Sequence, residues 1–251
     1  MKVFESIVQW QQFRAELLTD SLGFVPTMGA LHQGHMTLVE ASKQKCSQTV
    51  VSIFVNPQQF DNSADLEAYP VNLKQDIYQL ENAGVDCVLL PDAAQMYPDD
   101  YRFKVTEKQF SRQLCGAHRP GHFDGVLTVV MKLLNLVQPD QAFFGEKDWQ
   151  QLQLIRDMAA AFFMPVEIMA CPTKREQDGL AMSSRNQRLT PSDRIKAASL
   201  YITIKNSRTA DEARKALIGE GFDVDYVEDL EGRRLAAAKL GEIRLIDNVE
   251  V

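Results

Sequence analysis

The chain has 251 residues, 45 % of them hydrophobic and 24 % charged, with a formal net charge of −7 at pH 7. That is the composition of a globular protein with one large domain, or a nucleotide-binding domain plus a small second one. The acidic balance excludes a broad surface for nucleic acid, which must neutralise many phosphates, and no stretch approaches the ~20 apolar residues of a membrane span.

The N-terminus, Met1 to Gln11, lacks the basic-then-apolar pattern of a signal peptide. Cys46, Cys87, Cys115 and Cys171 are too far apart for a CxxC motif and read as reduced, buried thiols of a cytoplasmic protein.

Taken in chain order, Ser6 caps a first helix through Leu18, and Leu22–Val25 reads as a short buried strand. Met36–Cys46 reads as a helix, and Thr49–Val55 as a strand rich in β-branched residues. Asn72–Ala83 is helical with Gly84 as its stop, and Cys87–Leu90 is a strand ending at Pro91. Helices follow over Gly125–Val137 and Trp149–Phe163, with strands at Gln141–Phe144 and Val166–Ala170. Beyond Pro172 the pattern changes. Thr173–Asn186 is polar and loop-like, Arg194–Arg208 and Asp211–Glu220 are helical, and Phe222–Val227, Arg234–Leu240 and Ile243–Ile246 are short strands. The expected fold is α/β: a Rossmann-like, doubly wound parallel sheet over residues 1–173, followed by a smaller α+β domain over 174–251.

In such sheets ligands bind outside the carboxyl ends of the strands. Three polar motifs stand at those places. Pro26-Thr27-Met28-Gly29-Ala30-Leu31-His32-Gln33-Gly34-His35 joins a strand to a helix. Its glycines let backbone approach a ligand, the helix N-terminus favours anions, and His32 and His35 can donate hydrogen bonds to a triphosphate. Helix capping and metal binding are the other readings of the two imidazoles; the glycines and the lack of a nearby acidic ligand favour phosphate. Asn56-Pro57-Gln58-Gln59 follows the next strand, and the amides of Asn56 and Gln59 suit a small hydroxy acid, although Asn-Pro also makes an ordinary polar turn. In Gly145-Glu146-Lys147-Asp148-Trp149-Gln150-Gln151, Lys147 suits phosphate, Asp148 a ribose hydroxyl or a helix cap, and Gln151 the acid. Further on, Met182-Ser183-Ser184-Arg185-Asn186 is a compact anion clamp or a solvated loop.

The HxGH pattern resembles the nucleotidylyltransferase superfamily, whose members cleave nucleoside triphosphates between the α- and β-phosphates. The longer string around it resembles the pantothenate synthetase family, and the likeness runs almost continuously from Pro26 to Asn186 and returns at Arg244-Leu245-Ile246-Asp247-Asn248. It implies condensation of pantoate with β-alanine through a pantoyl-adenylate, with Mg-ATP as substrate, in a cytoplasmic homodimer with neither a nucleic-acid nor a membrane partner. Catalysis is then expected from His32, His35 and Lys147. ATP contacts are expected from Met28, Gly29, His32 and His35, from Gly145, Lys147 and Asp148, and from Lys174, Met182, Ser183, Ser184 and Arg185. The acid and amine are expected at Asn56, Gln59 and Gln151, with Arg119 and His122 of the Arg119-Pro120-Gly121-His122-Phe123 segment. Asp76 is an outer contact to magnesium or an exposed helical acid. ATP with pantoate is expected to protect residues 174–186 from hydrogen exchange. Two departures stand out: a second domain shorter than is usual in the family, with Gly232 turning one strand directly into the next, and Arg188 where an aromatic residue is common. The competing readings are another nucleotidylyltransferase acting on a phosphorylated substrate, and a nucleotide-sensing module without catalysis.

Overall fold

Continuous apolar runs are the signature of strands buried on both faces, and here they assemble into one parallel sheet. The structure, a computed structural model, describes residues 1–251. In chain order the first elements are β1 (Lys2–Phe4), α1 (Ile7–Glu16), β2 (Leu22–Thr27), α2 (Gln33–Lys45), β3 (Gln48–Ile53), α3 (Ser63–Glu67), α4 (Leu73–Asn82), β4 (Cys87–Leu89) and α5 (Ala93–Met96). They continue with α6 (Cys115–His118), α7 (His122–Val137), β5 (Gln141–Gly145), α8 (Trp149–Ala161) and β6 (Glu167–Cys171). All six strands are parallel, in the order β1-β4-β3-β2-β5-β6. The order reverses between β2 and β5, which is where ligands bind in open α/β sheets.

Alternation along the strands sorts the core into two layers. Val25, Val51, Val88 and Phe143 pack with Leu38 and Val39 of α2 and Leu80 of α4. Their neighbours Phe24 and Val50 are fully buried towards the opposite side, where Trp10 of α1 donates its indole N–H to Leu136 O of α7 at 2.8 Å.

The second unit contains α9 (Pro191–Asn206), α10 (Ala210–Gly219) and the antiparallel strands β7 (Asp223–Leu230), β8 (Arg233–Leu240) and β9 (Ile243–Glu250). Leu200, Ile204 and Leu217 of the helices form its core with Val227, Ala236 and Leu245 of the sheet. Glu231 and Gly232, with φ of 49° and 75°, make the two-residue hairpin between β7 and β8; left-handed backbone at both places is what a type I′ turn requires.

The α/β class with a small second sheet is as expected, with informative differences. β1 went unread because three residues, two of them exposed, carry no periodicity. α7 begins at His122, inside the Arg-Pro-Gly-His string, so that string is a helix entry rather than a free loop. α9 begins at Pro191, capped by Thr190, whose hydroxyl accepts the Asp193 N–H at 3.2 Å. The two compact units are Met1–Gly145 with Gln150–Cys171, and Glu146–Trp149 with Pro172–Val251. The Glu146–Trp149 turn, placed by the sequence reading in the first domain, therefore groups with the second.

Arg234 of β8 is only 1 % exposed and closes the end of α9. It donates to Ile204 O, Ser207 O and Arg208 O, and holds Asp229 at 2.7 and 2.9 Å. Arg234→Met keeps the bulk but leaves these acceptors unpaired, and should destabilise the protein by about 2–4 kcal/mol in urea unfolding. The hydrogen-bonded guanidinium also holds the Asp229 carboxyl below the usual carboxylate range. A depressed carboxylate stabilises the fold at pH above its unfolded value, and that contribution is lost as pH falls through the lower folded value. The acid limb of the stability curve should therefore flatten in Asp229→Asn, measured by denaturation between neutral and acid pH.

Candidate active site

The turn after β2 is held from below. Thr27 Oγ1 donates to Ser52 O at 2.8 Å and accepts the Gly29 N–H at 3.2 Å. Gly29 and then Ala30 are left-handed, with φ of 78° and 50°. For alanine that backbone costs about 1–2 kcal/mol. Asp76 of α4, 2 % exposed, offsets it: one carboxylate oxygen accepts the Ala30 N–H at 2.9 Å and the other the Leu31 N–H at 2.8 Å. Asp76 is thus not an exposed helical acid. It is the support of the turn.

The turn delivers His32 as the cap of α2, and the two imidazoles form a reciprocal capping pair. His32 Nδ1 accepts the Gly34 N–H at 3.1 Å, and His35 Nδ1 accepts the His32 N–H at 3.3 Å. A nitrogen that accepts an N–H carries no proton, so in both rings the proton sits on Nε2. The rings lie 4.1 Å apart between centroids, both half-buried. Capping and phosphate binding, weighed as rival readings of these histidines, are compatible: one nitrogen caps and the other is a donor.

At the end of β3, Asn56 is 1 % exposed and its hydrogen-bonding capacity is filled. Oδ1 accepts from Tyr97 OH at 2.7 Å and from the Gln58 N–H at 3.3 Å; Nδ2 donates to Gln59 Oε1 at 3.0 Å and to Gly125 O at 3.2 Å. Asn56 therefore holds the Gln59 side chain directly. With Gln59 Oε1 occupied, the Gln59 Nε2 amino group is the end available to a partner. Gly125 of α7 permits this arrangement, since a Cβ there would stand 2.2 Å from Gln58 O. Arg119 and His122, expected at the substrate site, both bond the main chain of Gln59. His122 Nδ1 donates to Gln59 O at 2.8 Å, which makes its Nε2 the acceptor for Arg119 Nη1 at 3.0 Å. Arg119 also donates to Gln59 O and to Asp61.

The paired glutamines at the start of α8 diverge. Gln150, 4 % exposed, accepts the Cys115 N–H at 3.0 Å and donates to Phe110 O and Gln113 O, both at 2.8 Å. These bonds clamp Leu114 at φ 48° and ψ −120°, a strained conformation for a branched side chain. Gln151, the ligand candidate, is half-buried.

The second unit gathers the remaining candidates. Half-buried Lys147 has Asp148 3.8 Å from its ammonium. Lys174 is exposed, and its carbonyl accepts the Met182 N–H at 3.0 Å, closing a narrow loop with a bridge between Arg175 and Ala181. Ser183 caps the 3-10 turn Ser184–Arg188 by accepting the Arg185 N–H at 3.3 Å, and Ser184 is buried. Asn186 and Arg194 both bind Glu176, which fixes the far side of this loop. Arg194 also hydrogen-bonds Asp178 and holds that carboxyl below its ordinary range. The sequence reading assigned no role to Tyr97, Gly125, Gln150 or Arg175, although Gly125 and Gln150 lie in strings that resemble family motifs. No three His, Cys, Asp or Glu side chains are grouped as metal ligands.

The model of pantoate-beta-alanine ligase matches residues 2–250. The chain belongs to the pantoate-β-alanine ligase family. It is 53 % identical to the pantothenate synthetase of Bdellovibrio bacteriovorus, covering 100 % of this chain and 99 % of that one, and 49 % identical to that of Legionella pneumophila strain Lens, covering 99 % of each. These relatives are matched over nearly their whole length. Among crystal structures, pantoate-beta-alanine ligase from Francisella tularensis, complexed with beta-gamma ATP and beta-alanine, superposes with a TM-score of 0.95 at 38 % identity, covering 100 % of this chain and 97 % of that one. Pantothenate synthetase from Thermus thermophilus gives 0.92 at 39 % identity, covering 100 % and 99 %.

Asp76→Ala would leave the left-handed turn unsupported and two N–H groups without an acceptor. It should destabilise the protein by about 2–4 kcal/mol. Exchange of the buried Leu31 amide, followed by NMR, should accelerate with it; unchanged protection would show that the turn holds itself.

Proposed function

We infer that this protein condenses (R)-pantoate with β-alanine at the expense of ATP, giving pantothenate, AMP and pyrophosphate. A carboxylate is a poor acyl donor because its leaving group would be oxide. In the first step the pantoate carboxylate attacks the α-phosphorus, a P–O bond forms, and pyrophosphate leaves. In the second the β-alanine amine attacks the acyl carbon of the pantoyl-adenylate and AMP leaves. The observation that carries this reading is the paired tautomer of His32 and His35, which sets both protons on Nε2 at a helix N-terminus. Such donors stabilise charge growing on a departing pyrophosphate.

The roles divide by chemistry. Gln59, with its amino group presented, and Gln151 hold the oxygens of pantoate; Asn56, Arg119 and His122 support Gln59. Lys147, Asp148, Ser183, Ser184 and Arg185 serve ATP, together with Met28, Gly29, Gly145, Lys174 and Met182. Magnesium enters with the triphosphate as part of the substrate. We further propose a cytoplasmic homodimer. Four buried cysteines, none in a disulfide, suit a reducing compartment, and no helix is long and apolar enough to cross a membrane.

Pyrophosphate release from ATP with pantoate, with and without β-alanine, tests the reaction. Absence of pantoate-dependent release would overturn it. His35→Ala should raise the barrier to adenylate formation by about 3–4 kcal/mol, as for the loss of one preorganised donor, with folding intact. Asn56→Asp removes the donor that faces Gln59 Oε1, so Gln59 should turn its oxygen outward. Pantoate binding should then weaken by about tenfold or more while ATP binding is retained, and calorimetry with each ligand separates the two.

A further inference from the structure

The string Arg244-Leu245-Ile246-Asp247-Asn248 resembles the family yet supplies no group to the reaction as described. In the structure its last two residues, 3 % and 4 % exposed, lie on β9. Asn248 Nδ2 donates to two successive main-chain carbonyls, Glu146 O at 2.9 Å and Lys147 O at 3.1 Å. The other end of the amide is fixed, because Arg233 Nη1 donates to Asn248 Oδ1 at 2.6 Å. Arg233 Nη2 reaches Glu146 Oε2 at 3.1 Å, so the same guanidinium holds the turn a second time. Asp247 takes a bidentate pair from Arg175 at 2.6 and 2.9 Å and the Asn248 N–H at 2.8 Å. Arg175 in turn donates to Gly179 O and Asn248 O and lies 3.7 Å from the Tyr201 ring centroid. One dipeptide thus holds the backbone on either side of the Lys147 side chain and, through Arg175, the loop that leads to Ser183.

We propose that Asn248 is a positioning residue for Lys147: its amide, oriented by Arg233, sets the main-chain turn from which the lysine reaches the nucleotide. The proposal rests on the functional reading above for the role of Lys147, and goes beyond it in assigning the lysine's placement to the C-terminal strand. The physical reason lies in the turn itself. Residues Glu146–Asp148 form a 3-10 turn at the start of α8, and short 3-10 turns are poorly bonded internally. A flexible four-carbon side chain aims reliably only if its main chain is fixed.

The test uses the full chain and five proteins: wild type, Asn248→Ala, Asn248→Asp, Lys147→Ala and the double variant Asn248→Ala/Lys147→Ala. Asn248→Asp keeps the volume and the Arg233 partner but turns an oxygen towards two carbonyls. Both Asn248 variants should raise KM for ATP about ten- to hundredfold, with KM for pantoate changed less than about twofold. In the Lys147→Ala background, Asn248→Ala should add less than about threefold, because a residue that acts through the lysine has nothing left to position. Trypsin cleavage after Lys147 should quicken in the Asn248 variants, which reports the turn without reference to activity. Equal rises in KM for both substrates, or full additivity in the double variant, would overturn the proposal, as would unchanged cleavage. If an Asn248 variant fails to fold, Arg233→Gln, which frees the amide to rotate without removing it, should show the same selective loss for ATP; its absence would overturn the proposal equally. A wild type without pantoate-dependent pyrophosphate release, or a Lys147→Ala protein with unaltered KM for ATP, would instead remove the functional reading, and trypsin would still report whether Asn248 holds the turn.

Discussion

Asn56, Asn248 and the imidazoles of His32, His35 and His122 share one constraint. Each has an end that gives a hydrogen and an end that takes one, and protein groups settle which end is left for a ligand or a neighbour. In water such groups rotate at little cost. Where they are buried, a reversed amide sets N–H against N–H and oxygen against oxygen, so the orientation is locked. The side chains proposed to meet substrate take that polarity from their protein neighbours. This is the economy of a preorganised site: the donor is already aimed before charge appears.

The same device supports backbone strain. Ala30 and Leu114 are left-handed or worse without being glycine. Each is pinned by a buried polar side chain from a helix, Asp76 from α4 and Gln150 from α8. Strained turns persist where the surroundings over-determine them, and here they carry the histidine motif and the segment entering α6.

The class of fold was legible, and the candidate site residues stood out, because both signals are local. Runs such as Thr49–Ile53 announce buried strands, and His32, Lys147 and Ser183 stand at strand or loop ends with little else to explain them. Their supports were not legible. Tyr97 is 41 residues from Asn56, and Asp76 is 46 from Ala30. A buried Asp, Gln or Tyr with a distant partner looks, in sequence, like any surface residue. The partners of Asn56 were hidden for the same reason: an amide beside a proline advertises hydrogen bonding but not its direction. Three-residue β1 and the grouping of Glu146–Trp149 with the second unit depend on long-range pairing that no window of sequence contains.

That grouping has a covalent consequence. The chain passes between the two units at three places, after Gly145, after Trp149 and after Cys171, rather than through a single linker. The turn that enters the second unit and returns is stitched to the last strand, about a hundred residues further along, by Asn248. During synthesis this turn emerges long before its partner exists. Its bonds to Asn248 must wait for the C-terminal strand. A chain terminated just before Asn248 would lack the one amide that ties the Glu146 and Lys147 carbonyls to β9.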